Sequence, residues 1–299
     1  MTAAIRLGDF KAAFSRFQRD QVTDHAAALT YYSMLSLFPA LLLGVAVLGL
    51  VGQQALVDDA AKYLRDAGAP DDVVNAVTAA LKSAQTQRST AVGALVLGAV
   101  TSLYGASGAF GAVGRALNHI WRVEEGRGFI KQKAENLAWT LLLLVLVIVT
   151  FILIFLGGGL AGDVLGLIGL GDNIASVWRI VRWPAALLVA MLIYAIVYYA
   201  APNVEIPRFR FITPGAVFGV FTWILASALF FVYASNFSRY GATYGSFATV
   251  VILLIWIWLT NIVLLFGAEL NAVVDLRRTP GLPPDYDGPV LAPKEAAED

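Results

Sequence analysis

The chain has 299 residues, of which 59% are hydrophobic and 14% charged. Its mean hydropathy of +0.72 lies far to the apolar side of a soluble domain, so the chain requires lipid as part of its solvent. It has no cysteine, which excludes disulfides, thiol chemistry and cysteine-ligated metals, and its formal charge of zero gives no global pull toward nucleic acid.

Before the first apolar stretch, Leu7, Phe10, Phe14 and Phe17 recur at helical steps, while Arg6, Lys11, Arg16 and Arg19 fall largely off that stripe. Residues 1–25 therefore predict an amphipathic helix, which either lies on the inner leaflet against anionic headgroups or packs on the protein's own spans.

A membrane helix needs about 20 apolar residues to cross about 30 Å of hydrocarbon. Six charge-free windows meet this length: Ala26–Val57, Ser89–Gly114, Asn136–Gly162, Trp183–Val204, Phe211–Ser238 and Tyr240–Ala268. The first is too long and too late for a cleaved signal peptide, so it is expected to remain as an anchor. With no organelle-targeting leader in view, a bacterial inner membrane is the expected address.

Within the first window, Pro39 removes a backbone hydrogen bond and is expected to kink the helix near mid-bilayer. Thr30, Ser33 and Ser36 approach that kink at three-residue steps, with Tyr32 adjacent. These hydroxyls either bond back to their own helix or, with Ser102 and Ser107 of the second window, line a polar path. Residues 53–89 predict two short extracytoplasmic helices broken by Gly68, Pro70 and Asp71, a hairpin too small to be a catalytic domain.

The second window carries Gly105, Gly108, Gly111 and Gly114 at a strict step of three, which predicts either a groove for close helix packing or a hinge. Gly157, Gly159 and Gly162 satisfy a dinucleotide-binding spacing, but they lie on a membrane helix and not between a strand and a helix. Gly169, Gly171 and Asp172 imitate an intramembrane aspartyl protease motif, yet no charge-free window holds the second aspartate. Only His25 and His119 are available as imidazoles, away from any Ser–His–Asp or zinc-ligand spacing. No catalytic residue, cofactor or metal is implied.

Tyr240 to Ser246 is expected to form a short outer turn between the last two windows. Glu269 is the one carboxylate continuous with an apolar window, and an intramembrane ionisable group needs a partner. Depth alone points to Arg115 first and Arg122 second, as a clamp or gate. The proline-rich segment 276–299 is expected to be a disordered tail.

Orientation follows from the basic residues. With the N-terminus inside, the inner segments hold 14 of the 21 lysines and arginines, including the cluster Arg115, Arg122, Arg127, Lys131 and Lys133. Both termini are thus expected in the cytoplasm. The fold class is all-α: six transmembrane helices over residues 26–275, preceded by the amphipathic helix.

The run from Ala28 to Pro39, the Leu117-Asn118-His119-Ile120-Trp121 segment, the Tyr244-Gly245-Ser246 turn, Asn261 and the Gly267-Ala268-Glu269-Leu270-Asn271 ending resemble the YihY/BrkB family of bacterial inner-membrane proteins, in order, over roughly residues 10 to 275. The resemblance implies a six-span protein linked to serum resistance and envelope lipid traffic, in a family that has also carried a tRNA-processing ribonuclease label. The sequence argues against that label, having no soluble domain, metal-ligand cluster or extended basic groove. The expected role is transporter-like, moving lipid or another envelope component, with membrane lipids as partners and no nucleic acid; the alternative is a non-transporting envelope scaffold. The spacing specifies no oligomeric state.

A reporter fused after Arg278 should be active only in the cytoplasm, and one placed near Asp71 only outside; the opposite pattern would invert the topology.

Overall fold

The computed structural model describes residues 6–51, 88–155, 173–206, 208–236, 241–283, 286 and 288–294, with isolated positions between 61 and 82. Seven helices are named within them: α1 (Leu7–Arg19), α2 (Val22–Val51), α3 (Arg88–Trp121), α4 (Phe129–Phe155), α5 (Asn173–Ala200), α6 (Pro214–Asn236) and α7 (Gly241–Arg278). The described residues contain no strand, only an isolated bridge between Val204 and Pro293.

Five helices are long and apolar enough to cross a membrane, over Val96–Trp121, Phe129–Thr150, Ile180–Ala200, Pro214–Tyr233 and Val250–Arg278. The first window falls in α2, whose helix runs through Pro39 to Val51. The side chains of Pro39 and its neighbours to Val51 lie outside the described residues, as do Gly157, Gly159, Gly162, Gly169, Gly171 and Asp172. Most of residues 53–89 lie outside them too, and the described positions from 61 to 82 are helical.

Apolar side chains point outward along the bundle, among them Leu141 and Val145 of α4, Leu188 of α5, and Phe221, Leu225 and Leu229 of α6. Such an outer surface needs hydrocarbon around it. Leu117, Ile120, Val204, Val220 and Leu265, all fully buried, belong to one cluster that also takes in Phe17 of α1. Helix α7 is central, packing against α6, α2, α1 and α3, while α2 and α3 form the most extensive pair.

The glycines of α3 do not form one groove. Three residues advance a helix by about 300°, so each glycine sits about 60° behind the last. A Cβ on Gly105 would lie 3.3 Å from Cα of Ser36 on α2; one on Gly111 would lie 2.8 Å from Nδ2 of Asn136 on α4; one on Gly114 would lie 2.8 Å from the Ala201 carbonyl oxygen. Gly108 has open space in front of it. The spacing thus serves three separate close approaches, and Gly108 takes no part in them.

A fourth approach joins α6 and α7, where a Cβ on Gly215 would run into the Gly267 carbonyl. Asn271 secures this crossing: its Oδ1 accepts from the Gly215 N–H at 2.7 Å, and its Nδ2 donates to Thr213 Oγ1 at 3.2 Å. It thereby caps the start of α6. Tyr244, Gly245 and Ser246 belong to the first turns of α7, so the expected turn there is helix instead. Their side chains lie outside the described residues.

The expectation of a disordered tail is corrected as far as Lys294. Glu205 N–H donates to the Ala292 carbonyl at 2.8 Å and Lys294 N–H to that of Asn203 at 3.3 Å. Lys294 Nζ donates to the carbonyls of Tyr199 and Pro202 at 3.3 and 3.0 Å, placing a cation at the C-terminal end of α5, where helix dipoles favour one. Prolines preclude a helix here but not an extended strap, and its anchoring partner lies some 90 residues away in the sequence.

Gly111→Leu and Gly215→Leu should each cost ~1–3 kcal/mol or more by overpacking, read as a lowered unfolding temperature of the detergent-purified protein. Gly108→Leu should leave it unchanged; equal losses at all three positions would contradict the separate approaches.

Candidate functional site

Helix α1 carries Asp9, Ala13, Arg16 and Asp20 at steps of four, three and four, which puts them on one face. That face is buried, together with Phe17. Phe10 meets Phe218 of α6 with ring centroids 5.2 Å apart, and Phe17 meets Phe266 of α7 at 5.6 Å. Of the two readings of the amphipathic helix, packing on the protein's own spans accounts for these two rings. Leu7 and Phe14 are 88% and 52% exposed on another face, with exposed Lys11 between them in sequence.

Docking brings Arg16 to the end of α3 and the side of α7. Its Nη2 donates to the Ile120 carbonyl at 3.0 Å, and its Nε lies 3.3 Å from Glu269 Oε2. Glu269 has no exposed surface. Its two oxygens and Arg16 Nε have no hydrogen-bond partner among the described residues, so the pair is held by charge without aligned hydrogen bonds.

Asp20, 6% exposed, stands beside this pair at the end of α1 and takes a hydrogen bond from Arg122 Nη2 at 2.6 Å. Burial pushes the Asp20 carboxyl up, but the hydrogen bond and charge of Arg122 outweigh it and hold the group below its usual range. Two guanidiniums and two carboxylates thus form one compact cluster. Its two junctions adopt left-handed backbone, Gln21 with φ 48° between α1 and α2, and Arg122 with φ 58° after α3. Farther along α1, Arg277 Nη1 donates to Asp9 Oδ2 at 2.6 Å, a second tie to α7.

The loop after α3 is locked separately. Arg127 donates to Glu125 Oε1 at 2.7 Å, to Glu135 Oε2 at 3.0 Å and to the Ala201 carbonyl at 3.2 Å. Asn203 N–H donates to Asn118 Oδ1 at 2.6 Å, and Asn118 Nδ2 to Glu125 Oε2 at 3.2 Å. Burial raises the Glu125 carboxyl, but Arg127 more than offsets this and holds it low. Since Asp20 and Glu125 are both lowered, the stability they contribute is present above about pH 4 and is lost as pH falls below that range.

The expected pairing of Glu269 with Arg115 is corrected. Arg115 is exposed, and its guanidinium lies 5.7 Å from the centroid of the Tyr32 ring of α2. The cation beside Glu269 comes instead from α1, as Arg16. Arg122, the second candidate, reaches the cluster through Asp20.

Of the polar-path residues, Thr30 Oγ1 donates to the Ala26 carbonyl, Ser33 to Leu29 and Ser36 to Ser33, all within α2. Thr30 also accepts from Asn261 Nδ2 of α7 at 3.2 Å. Ser102 and Ser107 are buried in α3, and Ser102 Oγ has no partner among the described residues. The α2 hydroxyls thus bond back to their own helix. His25 and His119 do meet, their rings 5.1 Å apart; burial and then the neighbouring imidazole keep His25 below the usual histidine range.

A family model described as Virulence factor BrkB matches residues 13–287. The chain belongs to this family. The ribonuclease-like protein YfkH of Bacillus subtilis is 34% identical over 271 residues, covering 90% of this chain and 95% of its own. The UPF0761 membrane protein IL2447 of Idiomarina loihiensis is 27% identical over 279 residues, covering 90% and 91%. The UPF0761 membrane protein PSHAa0171 of Pseudoalteromonas translucida is 29% identical over 266 residues, covering 85% and 82%. No solved structure matches. These names place the BrkB-family chain among membrane proteins, which agrees with its apolar helices, and establish no catalytic activity.

Sequence reasoning missed Arg16 and Asp20 as site residues. The signal is the stripe Asp9, Ala13, Arg16 and Asp20, which the apolar stripe of Leu7, Phe10, Phe14 and Phe17 masks by placing the basic residues against anionic headgroups.

Removing one member of a buried pair leaves the other charge uncompensated, so Glu269→Leu or Arg16→Leu alone should cost ~3–5 kcal/mol. The double Arg16→Leu/Glu269→Leu variant should recover most of that loss. Thermal unfolding in detergent checks this, and additive losses would show that the two groups do not act on one another.

Proposed function

We propose that this protein is a six-span inner-membrane transporter-like protein with both termini in the cytoplasm, moving lipid or another envelope component, and that α1 closes its cytoplasmic end. The observation that carries the reading is the complete enclosure of Glu269 on a membrane helix, paired with an arginine from a helix outside the spans. A charge pair of this kind is a poor source of stability, because desolvation offsets most of its attraction. Its place at the junction of α1, α3 and α7 suits a latch whose two states differ in whether α1 is seated. In that setting Leu7, Lys11 and Phe14 face anionic headgroups of the inner leaflet.

A non-transporting scaffold is the second reading, favoured by the hydroxyls of α2 bonding back to their own helix and by the close packing of Ser36 on Gly105. Ribonuclease chemistry is left out of the proposal: the charged residues that gather here are enclosed, and a polynucleotide would not reach Glu269.

The test is reconstitution into vesicles carrying a fluorescent phospholipid on one leaflet, followed by chemical quenching from outside. Lipid should redistribute faster than in protein-free vesicles, and Arg16→Gln, which removes the tie between α1 and Glu269, should accelerate it severalfold. Redistribution at the protein-free rate for both proteins would favour the scaffold. Full activity in Glu269→Gln would leave the latch without an obligatory proton.

A further inference from the structure

Helix α3 carries Tyr104, Gly108, Gly111 and Arg115 at steps of four, three and four, which puts them on one face. Helix α4, packed beside it, carries Lys133, Asn136 and Thr140 at steps of three and four, again one face. The two faces meet where Asn136 Nδ2 lies 2.8 Å from the position a Cβ would take on Gly111, and Arg115 Nη1 stands 3.8 Å from the same point. In front of Gly108 there is open space. The result is a furrow floored by glycine, with a guanidinium and a carboxamide turned to one spot.

The donors of this furrow are unspent. Arg115 and Lys133 have no ion pair and no side-chain hydrogen bond among the described residues; each lies over an aromatic ring, Arg115 over Tyr32 and Lys133 over Tyr104 at 4.7 Å from the centroid. A ring attracts a cation through its quadrupole but brings no net negative charge, so both charges stay available to an anion. The carboxylate nearest to Lys133 in sequence, Glu135, is turned to Arg127. Asn136 is only 6% exposed, yet its carboxamide makes no hydrogen bond among the described residues and is not wholly enclosed. An amide N–H left unmet at such burial is costly, so the furrow calls for an acceptor from outside the chain.

Position narrows what that acceptor is. Arg115 and Lys133 belong to the stretches Val96–Trp121 and Phe129–Thr150, long and apolar enough to cross a membrane, where a cation is costly unless an anion or water meets it. Arg115 lies six residues before the end of α3 and Lys133 four after the start of α4, about 9 and 6 Å inside, close to the headgroup layer. From Lys133 the ridge of α4 runs on at steps of four through Leu137, Leu141 and Val145, all apolar and exposed. The fitting ligand therefore joins a negative head with acceptor oxygens to an apolar body. A phosphodiester offers two non-bridging oxygens, a form that guanidinium groups bind in bidentate fashion.

We propose that the furrow between α3 and α4 binds an anionic phospholipid, with Arg115 and Asn136 Nδ2 on its phosphate, Lys133 supplying a second positive charge, and the acyl chains along the apolar ridge of α4. The site rests on the lipid reading above and names its ligand class, but binding does not require transport. Free phosphate and fatty-acid carboxylates share the head chemistry and are the other sources.

The test uses the full chain purified in an uncharged detergent, with thermal unfolding measured against dihexanoylphosphatidylglycerol, dihexanoylphosphatidylcholine, decanoate and inorganic phosphate. The anionic phospholipid should stabilise the protein at the lowest concentration, because the choline cation of the second lipid meets two positive charges. Arg115→Gln and Lys133→Gln break no ion pair, so both should fold and melt as wild type does without lipid. Each should weaken phosphatidylglycerol binding roughly tenfold, the loss expected for one contact to a charged group, while Arg208→Gln, away from the furrow, should bind as wild type does. Unchanged affinity in both furrow variants, or phosphatidylcholine binding as tightly as phosphatidylglycerol, would overturn the site. Inorganic phosphate or decanoate binding more tightly than the phospholipid would overturn the phospholipid assignment. Site-dependent binding without redistribution in vesicles would remove transport and keep the site, whereas redistribution without site-dependent binding would do the reverse.

Discussion

A carboxylate with no exposed surface, on a helix long and apolar enough to cross a membrane, constrains everything near it. Enclosing Glu269 is costly without a cation beside it, and its neighbours along the helix, Ala268 and Leu270, are apolar. The arginine comes from α1, so α1 must lie across the end of the bundle. Once it does, Phe10 and Phe17 are carried onto Phe218 and Phe266, Asp9 onto Arg277, and Asp20 onto Arg122. The end of α3 is fixed by the same guanidinium, through the Ile120 carbonyl.

This cluster contributes specificity more than stability. Burying two charges costs several kcal/mol each, and their attraction returns about as much only when hydrogen bonds are well aligned. Here Arg16 Nε and both Glu269 oxygens lack aligned partners among the described residues. The aromatic contacts supply the attraction that seats α1, while the charges determine where it sits. An arrangement so divided can be released at modest cost, because the desolvation penalty is recovered when the pair separates into water.

Five long apolar helices were legible because hydropathy is a one-dimensional property, read from length and the absence of charge. The need for a partner at Glu269 was legible for the same reason. Which arginine meets it was not, since that depends on the turn at Gln21, whose left-handed backbone sets the direction of α1, and Gln is no signal for such a turn. The glycine step of α3 signals close approach, and its slow rotation takes Gly105, Gly111 and Gly114 to three different neighbours that no local pattern names. The strap ending at Lys294 depends on residues far apart in the chain, and no local pattern records it.

The two faces of α7 then explain why so much polar structure gathers at one end of an apolar bundle. Glu269, Leu270, Val273 and Arg277 meet α1, and Asn271, Val274, Asp275 and Arg278 border a cavity beside Trp121 and Tyr198. A rotation or shift of α7 that changed its contacts with α1 would move the cavity wall with it, because both stripes ride on one rigid helix. The Arg127–Glu125–Glu135 knot and the Lys294 cap hold α3, α4 and α5 in place on the other side. The junction where Arg16, Ile120 and Glu269 meet lies between these anchored ends and the pair α7 and α1, while the Tyr198 hydroxyl ties α5 to α7 through the Leu264 carbonyl.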